Sequence, residues 1–248
     1  MVLICIGRQY NPFMTVLKEI PTLKLERARQ TAPQVFDALR DLIVSMTLVP
    51  GTVLPRAELA EHYGISQTPI RDALMRLGEI GLVDIFAQHA TVVSRIDLSL
   101  VVEAHFLRRS IELEVVRVLA EAEVTIRQAL VKRLKAIIER QQQALKSRNY
   151  AEFANTDRLF HREMYLAADV ASLWDMVRQS SGHIDRMRSL HLPTKGKTET
   201  IVQDHLAIVK AVHAGEASLA QKVLRQHLSG TLSYMDEIRV SHPEFVTG

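Results

Sequence analysis

Apolar residues recur at three- and four-residue intervals over most of the chain, and the places where they do not divide it. Residues 1–30 show no clear period and contain Pro12 and Pro21, which predicts an N-terminal extension, either a flexible arm or a segment outside the fold. Val35, Leu39, Leu42, Ile43 and Met46 line one face of a helix predicted over 33–46, closed by the turn signal Leu48-Val49-Pro50-Gly51. A second helix, 57–63, carries Leu59 and Ala60 on its apolar side and stops at Gly64, the residue type that most cheaply adopts the left-handed conformation. Ser66 is then a suitable N-cap for a third helix, with Pro69 in its first turn, where a missing N–H costs little. Ile70, Ala73, Leu74, Leu77 and Ile80 follow helical spacing toward a core, and Gly81 ends the helix. Residues 82–86 and 90–93 read as short β-runs around Ala87-Gln88-His89, a hairpin.

From Asp97 the alternation typical of strands disappears. Helical stretches are predicted at 97–122, 125–147, 149–168, 170–188, 198–214 and 216–239, broken at Asn149, Asp169 to Ser172, Pro193 to Gly196 and Gly215. The expected protein is mainly α: an N-terminal winged helix-turn-helix over 31–96, an all-α helical bundle over 97–240, and a tail at 241–248. Several of the bundle helices have mixed faces, so a second copy of the chain is expected to cover part of their surface.

On the third helix Gln67, Thr68 and Arg71 stand together opposite the apolar face. Arginine bonds guanine edges or phosphate, glutamine reads adenine, and threonine meets the thymine methyl or phosphate, so this side suits a major groove. An ordinary surface helix would also turn such residues outward. Charge adds little. The whole chain carries +3, and residues 1–98 hold 10 Lys and Arg against 10 Asp and Glu, so only the local placement of Arg56, Arg71 and Arg76 could make a positive face. Cys5 is the one cysteine, which excludes an intrachain disulfide. The opening Met1-Val2-Leu3-Ile4-Cys5-Ile6 lacks the length and the preceding positive charge of a secretory signal, and no apolar run spans a bilayer. A cytoplasmic protein with no membrane partner is expected.

In the bundle, Asp157 and His161 are four residues apart and project from one helix face, while His205 and His227 lie on the last two predicted helices. One carboxylate and three imidazoles suit a borderline divalent ion such as zinc, nickel or manganese. With ten histidines in the chain, any one of them alone reads as a surface or core residue.

Residues 35–96 resemble the N-terminal domain of GntR-family transcription regulators. The likeness rests on Pro50-Gly51, Leu59-Ala60, Gly64-Ile65-Ser66-Gln67-Thr68-Pro69-Ile70-Arg71 and Gly81-Leu82. That family usually has arginine where Gln67 stands, Glu then Arg where this chain has Arg56 then Ala57, and glycine where Ala90 stands, so a left-handed wing tip at Ala90 would be strained. The resemblance implies DNA contacts from Arg71 and Thr68 first, Ser66 and Gln67 next, and His89 in the minor groove and Arg56 last. Residues 98–240 resemble the C-terminal ligand domain of the FadR subfamily, the FCD domain. The matching segments are Leu107-Arg108-Arg109-Ser110-Ile111-Glu112, Asn155-Thr156-Asp157-Arg158-Leu159-Phe160-His161, Gly182 to Leu190, Asp204 to Val212 and Arg225-Gln226-His227-Leu228.

This second resemblance implies that Asp157, His161, His205 and His227 bind a divalent metal, zinc first among the candidates. It also implies that a small carboxylate metabolite, a sugar acid or another organic acid, reaches that metal. Arg108, Arg186 and Arg188 are the candidate clamps for the rest of the anion. Together the resemblances imply a ligand-responsive bacterial regulator, a repressor, that binds a palindromic operator in double-stranded DNA as a homodimer and releases it on binding ligand. Two alternatives stay open: a sensor of the metal itself, and a metal-dependent enzyme. Against the enzyme, His161-Arg162-Glu163-Met164-Tyr165 is not a zincin helix and no acid or base stands beside the cluster in a catalytic motif, so no catalytic residues are expected.

Overall fold

The first helix, α1 (Thr31–Val44), turns Val35, Leu39 and Ile43 inward. The computed structural model describes residues 20–22, 25, 26, 28–86 and 90–248, which form two units, Met1–Arg95 and Ile96–Gly248. In the first unit α2 (Arg56–Tyr63) ends at Gly64, whose backbone is left-handed at φ 63°. Ile65 N–H donates to the Ala60 carbonyl at 3.0 Å and Gly64 N–H to that of Glu61 at 3.1 Å, which satisfies two of the carbonyls a helix end leaves over. A Cβ at Gly64 would meet nothing within 4 Å, so glycine serves the backbone conformation there rather than a lack of space.

Helix α3 (Gln67–Glu79) buries Ile70, Ala73, Leu74 and Leu77. Ser66 holds the N-cap position with extended backbone, but its hydroxyl makes no capping hydrogen bond, contrary to the expectation from its residue type. Strand β1 (Val83–Phe86) pairs antiparallel with β2 (Ala90–Val93), Val83 opposite Val93 and Phe86 opposite Ala90. The segment after α1 runs along the other side of β2: Gly51 N–H donates to the Val93 carbonyl at 2.7 Å and Leu54 N–H to that of Thr91 at 2.8 Å. Ala90 is thus an ordinary strand residue and not a left-handed tip. The expected wing residue His89 lies outside the described residues. Leu39, Ile43, Leu48, Leu59, Ile70 and Leu77 form the core of this unit, and Ile20 joins them. Each such fully buried side chain contributes about 1.5–3 kcal/mol relative to exposure. Gln34 ties the preceding segment to α1, accepting from Glu26 N–H at 2.8 Å and donating to the Arg29 carbonyl at 3.0 Å.

The second unit begins with β3 (Ile96–Asp97) and α4 (Leu98–Glu121), whose first turn is capped by the Asp97 carboxylate through Ser99 N–H at 2.8 Å. Then follow α5 (Val124–Lys146), α6 (Tyr150–Ala167), α7 (Ala171–Ser180), α8 (Gly182–His191), α9 (Lys197–Ala214) and α10 (Ala217–Ser229). A 3₁₀ turn at Leu232–Tyr234, α11 (Met235–Ser241) and β4 (Val246–Thr247) complete it. Helix α5 packs on α6 and α9, and α10 on α4 and α9, around Val116, Leu130, Leu134, Phe153, Phe160, Ile208 and Leu224.

Three details depart from the sequence reading. The single helix expected over 170–188 is two, parted at Ser181, whose hydroxyl donates to the Asp185 carboxylate at 2.8 Å while Arg178 bonds the same carboxylate. The last predicted helix stops at Ser229 and resumes as α11. The tail pairs back onto the start of the unit, β4 running parallel to β3 with Ile96 N–H on the Phe245 carbonyl at 2.8 Å. Among the described residues no helix is long and apolar enough to cross a membrane.

Candidate metal centre and nucleic-acid face

Asp157 and His161, one turn apart on α6, meet His205 from α9 and His227 from α10. All four are buried, and one ligating atom from each lies within 4.8 Å of the others. His161 Nε2 and His227 Nε2 are 3.3 Å apart, and His205 Nε2 lies 3.6 Å from Asp157 Oδ1. Each histidine is held through its other nitrogen. His161 Nδ1 meets Glu112 Oε2 at 2.8 Å, His205 Nδ1 meets Gln141 Oε1 at 2.9 Å, and His227 Nδ1 meets Asp204 Oδ2 at 3.3 Å. With those oxygens accepting, the proton of each neutral ring sits on Nδ1 and the Nε2 lone pair faces the cluster. Phe160 stacks on the His205 ring at 3.9 Å and 7°, which fixes its plane.

The cluster has the donor set and the deficit of a cation site. Among the described residues Asp157 Oδ1 and His205 Nε2 are buried without a hydrogen-bond partner, a costly condition that a bound ion would remove. Two Nε2 lone pairs facing each other at 3.3 Å repel unless a cation lies between them, and such a separation suits two nitrogens each ~2.0–2.1 Å from one ion.

The surrounding charges keep the ligands in their binding forms. Burial pushes His161 down to about 4, with Arg108 adding to it against the pull of Glu112 and Asp157, and His205 falls well below the usual imidazole range for the same first reason. Burial opposes ionisation of Asp157, but Arg188, His161, His205 and Arg108 outweigh it and hold the carboxyl well below its ordinary range. Burial opposes ionisation of Glu112 too, and Arg108 and His161 bring it down to about 2.

Of the three candidate clamps, two converge on these carboxylates. Arg188 donates to Asp157 Oδ2 at 2.5 Å and Arg108 Nε to Glu112 Oε1 at 2.7 Å. Arg186 is fully buried and donates to His183 Nδ1 at 3.0 Å, an atom that also accepts the Asp97 N–H at 2.9 Å. Glu112, Gln141 and Asp204 were not identified as site residues in the sequence. Glu112 had a signal in its four-residue spacing from Arg108, and Asp204 in its adjacency to His205; Gln141 had none.

On the first unit Ser66, Gln67, Thr68 and Arg71 are exposed, as is Arg56 at the start of α2. Among the described residues Arg71 makes a 3.5 Å contact with Asp72, and both side chains are exposed. Arg76 does not share this face. It lies five residues on, about 140° around the helix, with its guanidinium over the Phe36 ring at 4.6 Å. The exposed polar face therefore centres on the beginning of α3.

Known proteins share this arrangement. Residues 31–93 match the pattern described as bacterial regulatory proteins of the gntR family, and residues 103–230 match the FCD domain. A transcriptional regulator of the helix-turn-helix type from an unstable DNA locus of Streptomyces ambofaciens is 32% identical over 216 residues, covering 87% of this chain and 89% of its own. The transcriptional repressor RspR of Escherichia coli K12 is 26% identical over 212 residues, 86% of this chain and 92% of its own. The gluconate operon repressor of Bacillus subtilis is 23% identical over 232 residues, 88% and 90% of the two chains. Among solved structures, E. coli McbR/YncC superposes with a TM-score of 0.72 at 20% identity, over 84% of this chain and 98% of that one, which bears on the fold. These relatives are regulators and not enzymes, which removes the enzyme alternative. The exposed start of α3 and the helical unit around Asp157 are the two halves of one known design, and the chain belongs to the GntR family of bacterial transcription regulators, with an FCD domain as its second half.

Proposed function

We infer that the chain is a repressor whose grip on a palindromic operator is released by a small carboxylate metabolite bound at a divalent metal, zinc first among the candidates. The observation that carries this is the buried Asp157, His161, His205, His227 cluster with its two unpartnered atoms. A bound divalent ion would supply open coordination positions for a carboxylate oxygen. The three histidines and Asp157 hold the ion, Glu112, Gln141 and Asp204 orient the rings, and Arg108 and Arg188 keep the carboxylates charged. Ligand binding alters operator affinity only to the extent that it favours one disposition of the two units over another. Repression is the activity named for RspR and for the gluconate operon repressor.

The protein acts as a homodimer in the cytoplasm, with two α3 helices spaced about one turn of DNA apart. Val102 and Phe106, four residues apart on α4 and 45% and 64% exposed, form an apolar strip of the kind a second copy covers. A gel shift of the purified protein on its own upstream DNA tests the reading. The expected result is a sequence-specific shift that a metabolite extract weakens, and no specific shift with or without extract overturns it. Operator affinity that follows free metal at fixed metabolite would make the ion the effector.

A further inference from the structure

One member of the cluster, His227, borders a pocket. A pocket of about 360 Å³ is lined by Lys195, Lys197, Thr200, Asp204, His227 and Tyr234 among others, so it shares with the cluster both His227 and the carboxylate that holds His227. Lys197, the first residue of α9, is half-buried in this wall. One of its three N–H donors reaches the Gly230 carbonyl at 3.1 Å, and its Nζ sits 4.6 Å from the centre of the Tyr234 ring. No carboxylate among the described residues forms an ion pair with it. A half-buried ammonium held by a carbonyl and an aromatic face is oriented but not neutralised.

The charges around it point the same way. Asp157, Glu112 and Asp204 bring three carboxylates to the network, and Arg108, Arg188 and Lys197 bring three cations. These six cancel, so a divalent ion bound to neutral histidines, together with Lys195 in the pocket wall, would leave net positive charge for a ligand to meet. Burial first and Arg188 second lower the pKa of Lys197 against the opposing pull of Asp204 and Asp157, as expected of a half-buried ammonium without a directly paired carboxylate.

We propose that the pocket takes a dianion, with one carboxylate on the metal and a second acidic group on Lys197. This rests on the metal-carboxylate reading above and narrows its ligand to diacids, from short dicarboxylates to sugar diacids. A monoacid of equal length would leave Lys197 facing an uncharged end.

Calorimetric titration of the full-length, zinc-loaded protein with matched pairs tests it: succinate against succinamate, and glucarate against gluconate, each pair differing at one end only. The diacid is expected to bind about tenfold tighter than its partner, the worth of one charge-assisted hydrogen bond. Lys197→Met should erase that ratio while leaving the monoacid affinity in place, and Lys197→Arg should keep most of it. Equal affinities within each pair, binding by neither diacid, or a ratio untouched by Lys197→Met overturns the proposal, as does an equal loss for both members. Repeating the titration after chelation separates the two ideas. Affinity that survives chelation sinks the metal-carboxylate reading, whereas metal-dependent binding without a difference inside the pairs sinks only the diacid.

Discussion

The two units place their chemistry in opposite environments. At the start of α3 the candidate DNA-contact side chains stand in water, and Arg71 is 60% exposed with a long contact to Asp72. Around Asp157 the working groups are buried, and each is already fixed by another: His161 by Glu112, Glu112 by Arg108, Asp157 by Arg188. Water screens the first set and leaves its members independent, while low dielectric couples the second set so that no member changes alone. Function and stability should therefore be separable in the winged helix and inseparable in the helical unit.

The sharpest break of this contrast would come from Glu112→Ala. It strips Arg108 of its partner in a buried site and frees His161 Nδ1, and the expected loss is about 3–5 kcal/mol by urea denaturation. A loss below about 1 kcal/mol would show that the buried network is no more coupled than a surface pair. Arg71→Ala is the opposite case. It should weaken operator binding by about 1–3 kcal/mol in fluorescence anisotropy and leave the urea midpoint where it was; a shifted midpoint would blur the distinction.

Acid offers a third probe, on protein treated with chelator. His161 is held at about 4 by burial, whereas the unfolded chain titrates at its ordinary value of 6.5. Between those values the unfolded state carries more protons. Stability from this group is complete above 6.5 and falls as the pH drops below it, by up to about 1.4 kcal/mol per pH unit. A flat urea midpoint between neutral pH and the lower value would contradict the neutral, buried imidazole. The smallest effect is expected of Gly64→Ala, about 1 kcal/mol from left-handed backbone strain alone, since the added methyl meets nothing. A larger loss would mean that the turn is crowded after all.

The same contrast explains what could be read from the sequence. The winged helix is built from contiguous signals, each acting within a turn or two: Gly64 as a helix stop, the 3.6-residue stripe from Ile70 to Leu77, the paired runs either side of residues 87–89. These are local and visible in one dimension. The four clustered residues were legible through residue type and motif, but the oxygens that orient them were not. Gln141 lies sixty-four positions from its partner His205, and nothing local distinguishes it from Gln142 or Gln143. Ser181 parts α7 from α8 through side-chain bonds with Arg178 and Asp185, in a stretch whose hydrophobic period continues unbroken. The pairing of Ile96–Asp97 with Val246–Thr247 involves two residues a side, too few for any alternation to announce a strand.

That short pairing makes the helical unit a cassette. Its entry and its exit are hydrogen-bonded neighbours, Ile96 N–H on the Phe245 carbonyl, so the chain enters and leaves through one doorway. A unit of this shape can be spliced behind a different reader of DNA, or rejoined end to end and opened elsewhere, without crossing its own interior. Four paired residues thus bring the two ends of the unit together.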